Sequence, residues 1–309
     1  MSLLESGFFD LLTNYTFRTM ILGTGTVGAV AGLLGCLLYL RKQTMISDVI
    51  GHSAIGGVAL GFIVCTAIFG IDGRSVLALT IAAAITTTIA VIVTNLITRH
   101  SRLGVDAAMA VTLAVFFGGG MTLMRWIRHS SLPNRAGIEK YVFGNAATLT
   151  SDDLITIAII GGLAVAVVLA LFKEFTLSAF DPVLATTMGF SPRILQPILL
   201  VTVTTGIVIG IKAVGLILMI GFVMLPAAAA RQWSRRLPTM ALISTLIGGI
   251  CGIVGSVLAV QLGRVPTGPI IIIVLFAVLV VSLVAAPQRS VLSTWLVRRR
   301  QRLTGEEAT

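Results

Sequence analysis

Charge is scarce in this chain. Only 11% of its 309 residues are Asp, Glu, Lys or Arg, where a soluble domain carries about a quarter. With 56% hydrophobic residues, an ordinary water-soluble domain is excluded. Cysteine is nearly missing: Cys36, Cys65 and Cys251 stand far apart, and no CxxC pair occurs. Neither a disulfide framework nor a structural zinc site is indicated. No GxxxxGK[ST] loop is present, so ATP is not bound in the P-loop manner. HExxH and GxSxG are also missing, which leaves a membrane-embedded hydrolase without a recognisable base or nucleophile. Aromatics make up 6% and do not interleave with the basic residues, so the net charge of +10 does not point to nucleic acid.

Long apolar runs are what the chain has instead. Nine candidates fall at about 17–40, 46–70, 75–98, 105–124, 154–172, 194–211, 213–230, 239–262 and 268–286. Each is long enough to cross a hydrocarbon core about 30 Å thick at ~1.5 Å per helical residue. Their continuous apolarity favours helices, which satisfy their own backbone groups in lipid, over the alternating strands of a barrel. The expected fold is all-α, a polytopic transmembrane helical bundle of about nine spans, or eight if one weak run is re-entrant. Residues 1–288 form the membrane domain and 289–309 a basic cytoplasmic tail, amphipathic around Trp295 and suited to an anionic inner leaflet. No cleavable signal peptide is read at the start, and the first run serves as an uncleaved insertion signal.

An outside N-terminus leaves most of the basic residues on the cytoplasmic side, among them Arg41, Lys42, Arg99, Arg102, Lys173 and Arg231. The cluster from Arg125 to Lys140 opposes this assignment. It belongs to a long polar connection, 125–153, on the outer face. Glycine is plentiful at 32 residues and concentrates within spans, as at Gly25, Gly28, Gly32, Gly248 and Gly252, where it lets helices approach closely.

One run carries an acid and an imidazole four residues apart, Asp48 and His52, in Met45-Ile46-Ser47-Asp48-Val49-Ile50-Gly51-His52. A charged group at the centre of a span costs about 3 kcal/mol on insertion scales, so the pair needs a reason. At i and i+4 the two share a helix face, and carboxylate with imidazole suits Mn²⁺, Fe²⁺ or Zn²⁺. The bland alternative is a capping Asp48 and a His52 bonded to a neighbouring helix. Closeness to Arg41 places Asp48 near the cytoplasmic end, unless this helix starts deeper than the sequence suggests. Asp106 reads as a cap of the fourth span.

A second segment runs Phe180-Asp181-Pro182 through Met188-Gly189. Asp181 suits a helix cap with Pro182 at the first position, and Gly189 suits the stop. A short amphipathic helix on the cytoplasmic surface follows.

Five motifs then occur in order: Met45 to Ser53, Lys140-Tyr141-Val142-Phe143-Gly144-Asn145, Phe180 to Gly189, Lys212 to Arg231 with Leu225-Pro226-Ala227, and Val265-Pro266-Thr267-Gly268-Pro269. Over nearly its whole length the chain resembles the permease subunits of bacterial ABC importers for manganese, zinc and iron, the ABC-3 family. The resemblance implies a type II importer-like fold in the bacterial plasma (inner) membrane and no ATPase of its own. It implies as partners a cytosolic ABC ATPase dimer, an extracytoplasmic metal-binding protein and a second permease subunit, identical or related. It implies that Asp48 and His52 line the path of a transported divalent metal, that no cofactor is held permanently, and that Phe180, Asp181, Pro182, Met188 and Gly189 dock into the ATPase. The Lys140–Asn145 form looks like manganese and iron members. Where many relatives have an acid just before Val-Pro-Thr-Gly, this chain has Arg264. Two rivals remain: a proton-coupled secondary transporter with Asp48 and His52 as relay, and an ABC permease for a siderophore or cobalamin cargo.

Overall fold

The computed structural model describes residues 14–41, 45–68, 70, 76–133, 146, 149–263 and 265–286. These form eleven α-helices: α1 Tyr15–Leu40, α2 Met45–Ile63, α3 Val76–His100, α4 Val105–His129, α5 Ser151–Ala170, α6 Phe172–Phe180, α7 Pro182–Thr187, α8 Pro192–Val214, α9 Leu216–Trp233, α10 Leu237–Leu262 and α11 Thr267–Ala285. A single π-turn, Val64–Ile68, extends α2. No strand occurs among the described residues. The basic tail, the Lys140–Asn145 motif and Arg264 lie outside them.

Local sequence sets the helix ends. Asn14 caps α1, its side-chain oxygen accepting from the Thr16 N–H at 3.1 Å. Thr150 and Asp153 form a reciprocal capping box on α5. Asp106 departs from expectation: Gly104 is the N-cap residue of α4 and Asp106 sits in the first turn, where a carboxylate still meets the positive end of the helix.

The centre of the bundle is the seam of α1 and α10. A Cβ at Gly28 would overlap the Gly248 carbonyl oxygen, and one at Gly248 would overlap that of Gly28. The two backbones touch because neither residue has a side chain. Polar bonds flank the seam: Ser244 Oγ donates to the Gly32 carbonyl at 2.6 Å, and the Thr24 and Ser256 hydroxyls lie 2.8 Å apart. In lipid such hydroxyls replace water as partners for one another.

Two contacts give the polarity of the bundle. The Tyr15 hydroxyl meets Ser151 Oγ at 2.6 Å, so α1 and α5 start together. At the far ends Arg41 reaches Ser178 of α6. α1 and α5 therefore run parallel, and the Arg41 end carries α6 and α7.

Eight helices are long and apolar enough to span a bilayer among the described residues. The run expected at 213–230 also folds as a helix, 18 residues long. Its helix, α9, starts only at Leu216, because Gly215 adopts φ 94° and ψ 157° and breaks it from α8. An L side chain rarely takes that φ, which is why a glycine stands there. Gly210 faces Val27 of the antiparallel α1, so the break lies level with Leu22, roughly 10 Å along from the start of α1 at ~1.5 Å per residue. Non-helical backbone at such depth is tolerated only inside protein, and Val214 is 1% exposed.

Candidate functional site

Glycine determines where α2 sits. A Cβ at Gly57 would lie 2.5 Å from the Ala83 Cα of α3, and one at Gly61 would lie 2.6 Å from the Ala82 Cβ. On the other side a Cβ at Gly120 of α4 would stand 2.6 Å from the Gly56 nitrogen. α2 is clamped between α3 and α4 at backbone distance.

This clamp answers the question of depth. His52 packs edge-on against Phe117, with ring centroids 4.8 Å apart and planes at 72°. Phe117 is the midpoint of α4, and antiparallel pairing of Gly57 with Ala83 puts His52 level with the midpoint of α3 as well. α2 begins at Met45, well inside the ends of both neighbours. Asp48 thus follows Arg41 closely in sequence, yet stands in the first turn of a helix that starts deep. Small residues on α2, not its hydropathy, produce that offset.

The polar inventory around the pair is short. His52 Nδ1 is buried and has no hydrogen-bond partner. Buried polar atoms are nearly always partnered, so an orphaned imidazole nitrogen is a vacancy in the bonding scheme. Asp48 and His52 are both half-buried, one helical turn apart. Among the described residues no group of three or more His, Cys, Asp or Glu is placed to hold a metal. The pair brings one carboxylate and one imidazole to one face of one helix, a donor set whose chemistry suits a divalent first-row metal ion. The Thr66 hydroxyl in the π-turn is likewise buried without a partner, and such turns concentrate at functional positions.

At the other candidate, Asp181 Oδ1 accepts from the Val183 N–H at 3.1 Å and the Leu184 N–H at 2.9 Å, with Pro182 at the first position of α7. Met188 is its C-cap residue, and Gly189 follows at φ 87°. Ala185 faces inward at 0% exposure, while Phe180 is 63%, Val183 75% and Met188 60% exposed. Residues with that much apolar surface at the Arg41 end suit a partner's groove. Val183 joins the segment from the structure; its exposure carries no signal in the sequence.

Sequence reasoning missed three further features. Phe117 has no motif to mark it. The Gly215 break hides between two apolar runs. At the Tyr15 end, a cleft of about 360 Å³ between α3, α5 and α8 has Asp152 and Asp153 at its rim beside Thr80, Thr156 and Thr205. The carboxylates there give the cleft a charge that attracts cations.

Comparison with known proteins agrees with this architecture. The chain is 33% identical over 297 residues to the zinc transport system membrane protein TroC of Treponema pallidum, covering 96% of this chain and 98% of that one. It is also 33% identical to the manganese transport system membrane protein MntC of Bacillus subtilis, over 93% of this chain and 65% of that one. The structure of PsaBC from Streptococcus pneumoniae in complex with Fab superposes with a TM-score of 0.79 at 24% identity, covering 94% of this chain and 98% of that chain, and shows the same fold. Residues 13–286 match the family model described as the ABC 3 transport family, and this multi-pass membrane chain belongs to that family.

Proposed function

We propose that the chain is the membrane-spanning permease of an ATP-driven importer for a divalent first-row metal ion, manganese or zinc, in a bacterial plasma membrane. The names of the relatives support these two metals; iron rests on the sequence resemblance alone. Asp48 and His52 form a transit site. The observation that carries this reading is the buried, partnerless Nδ1 of His52 one turn from a carboxylate. An ion passing the pair fills both gaps at once, lending positive charge to the carboxylate and an acceptor to the imidazole lone pair.

The working cycle follows from the layout. A metal-binding protein on the outer face releases its ion near the cleft rimmed by Asp152 and Asp153. The ion reaches Asp48 and His52 halfway along α3 and α4, and remaining coordination comes from water or a second permease. Energy comes from a separate ATP-binding subunit that grips α7 and its exposed Val183 and Met188. Selectivity among metals rests with the delivery protein, because a two-ligand site follows the general affinity order and does not reverse it.

A lone Asp48/His52 couplet among apolar and small side chains favours a bare ion over a siderophore or cobalamin. The test is uptake of radioactive manganese or zinc into vesicles holding the assembled importer. Asp48→Ala and His52→Ala should each abolish ATP-dependent accumulation while the complex with the ATPase still purifies. Full uptake by both variants would remove the pair from the path, and uptake without ATP or an ATPase subunit would favour proton coupling.

A further inference from the structure

Arg41 immediately follows the last residue of α1, and its side chain turns onto α6. Its Nη2 donates to Ser178 Oγ at 3.1 Å. A guanidinium has five donors and pairs best with a carboxylate in two parallel bonds. Here a neutral hydroxyl occupies that place. Arg41 is partly buried, and loss of water pulls the guanidinium below its ordinary pKa.

A better partner stands one turn away. Glu174 precedes Ser178 by four residues on α6, so the two share a face with β-carbons about 5–6 Å apart. Glu174 Oε2 is buried and has no hydrogen-bond partner. A carboxylate oxygen left dry and unpaired is costly, and this one stands one turn along α6 from the serine that holds Arg41. The Arg41–Ser178 bond itself borders open space: a cavity of about 400 Å³ is lined by Arg41, Ser178, Pro182 and Gln196, on the α7 side of the bond.

We propose that Arg41 is a two-position latch between α1 and the ATPase-docking element, held on Ser178 in the state described here and moving one turn along α6 to the Glu174 carboxylate when α7 is displaced. The inference rests on the reading of α7 as the docking element. The shift needed is at most one turn, ~5.4 Å, part of which the flexible arginine stem absorbs. The exchange of a hydroxyl for a carboxylate gives each state its own bond, as a bistable contact requires. Because α1 packs along α10 through the Gly28–Gly248 seam, a latch at its end transmits motion of α7 into the core of the bundle. Arg41 and Glu174 are positioning residues in this scheme and touch no metal.

The test uses the assembled importer in vesicles, with metal uptake and ATP hydrolysis measured together. Glu174→Gln keeps the shape and removes the charge. It should preserve assembly and hydrolysis but lower metal moved per ATP by about tenfold, the size of a typical coupling energy. Arg41→Glu alone should uncouple, and combination with Glu174→Arg should restore the ratio. A wild-type ratio in Glu174→Gln, or an exchanged pair no better than Arg41→Glu alone, would overturn the latch. If the exchanged pair fails to assemble, a second measurement decides: Arg41→Lys treated with a carbodiimide should cross-link to Glu174 with different yields in nucleotide-free and ATP-trapped complexes. Equal yields, or none in either state, would refute it. Wild-type vesicles that take up no metal with ATP would instead defeat the underlying function, so the two failures are separable.

Discussion

The edge of Phe117 meets the His52 imidazole at 4.8 Å between centroids and at 72°. The contact holds the ring by its face or edge and leaves Nδ1 without a donor or acceptor. Phe117 therefore orients the imidazole without competing for its lone pair, a role that a hydrogen-bonding neighbour would spoil.

Phe117→Ala should keep the chain folded and lower metal uptake by roughly tenfold, since misplacing a ligand weakens its site by 10- to 100-fold. Phe117→Tyr brings a hydroxyl near the ring and should also lower uptake. Transport that is unchanged in both variants would show the contact to be packing only. The measurement is initial uptake rate at several metal concentrations.

Asp48→Asn separates charge from shape. The amide retains the size of the carboxylate but loses the negative charge that attracts a divalent ion. Uptake should fall to background while thermal stability of the purified complex stays the same or rises, because a half-buried carboxylate no longer has to be kept away from water. A lower melting temperature with intact transport would indicate a structural role instead.

How far the sequence revealed this arrangement depends on the kind of signal. The runs behind α1, α3, α5, α10 and α11 are plain because lipid imposes apolarity over a full span. Asp48 and His52 stand out for the same reason, as polar exceptions in an apolar background. The α7 cap is legible because Asp181 and Pro182 act through local backbone geometry. Phe117, Glu174 and Ser178 acquire meaning only from neighbours far along the chain, and nothing local distinguishes them. The depth of His52 likewise depends on how Gly56, Gly57 and Gly61 let α2 slide against α3 and α4, a tertiary outcome that hydropathy does not encode. Gly215 lay in plain view, but its break is written in one dihedral angle and not in composition.

The α1–α10 seam predicts a clear stability defect. Gly28→Leu or Gly248→Leu forces the two helices apart, since even a Cβ collides with backbone. Either variant should fail to accumulate as a folded membrane protein. Ser244→Ala, which removes only the bond to the Gly32 carbonyl, should cost about 0.6 kcal/mol, the average for such bonds in membranes. Thermal unfolding in detergent distinguishes these two sizes of effect.

Loss of the Asp181 cap tests the docking element. Asp181→Ala leaves the Val183 and Leu184 N–H groups without their acceptor and should destabilise α7 by about 1 kcal/mol. A six-residue helix is too short to be stable on propensity and depends on its caps. The expected result is normal membrane insertion with reduced binding of the ATPase subunit. Asp181→Asn retains an acceptor oxygen and should recover much of the binding. Equal loss in both variants would mean that the ATPase reads the carboxylate itself.

Gly215→Ala addresses the break between α8 and α9. At φ 94° an alanine is strained by about 1–3 kcal/mol, and the chain relieves the strain by straightening toward a continuous helix. Val214 and Met219, at 1% and 0% exposed, would both have to leave their present packing. The variant should lose stability and transport together, and a second change at Asp48 or His52 should restore neither. If Gly215→Ala instead unfolds at the wild-type temperature and transports normally, the break is not needed at that residue.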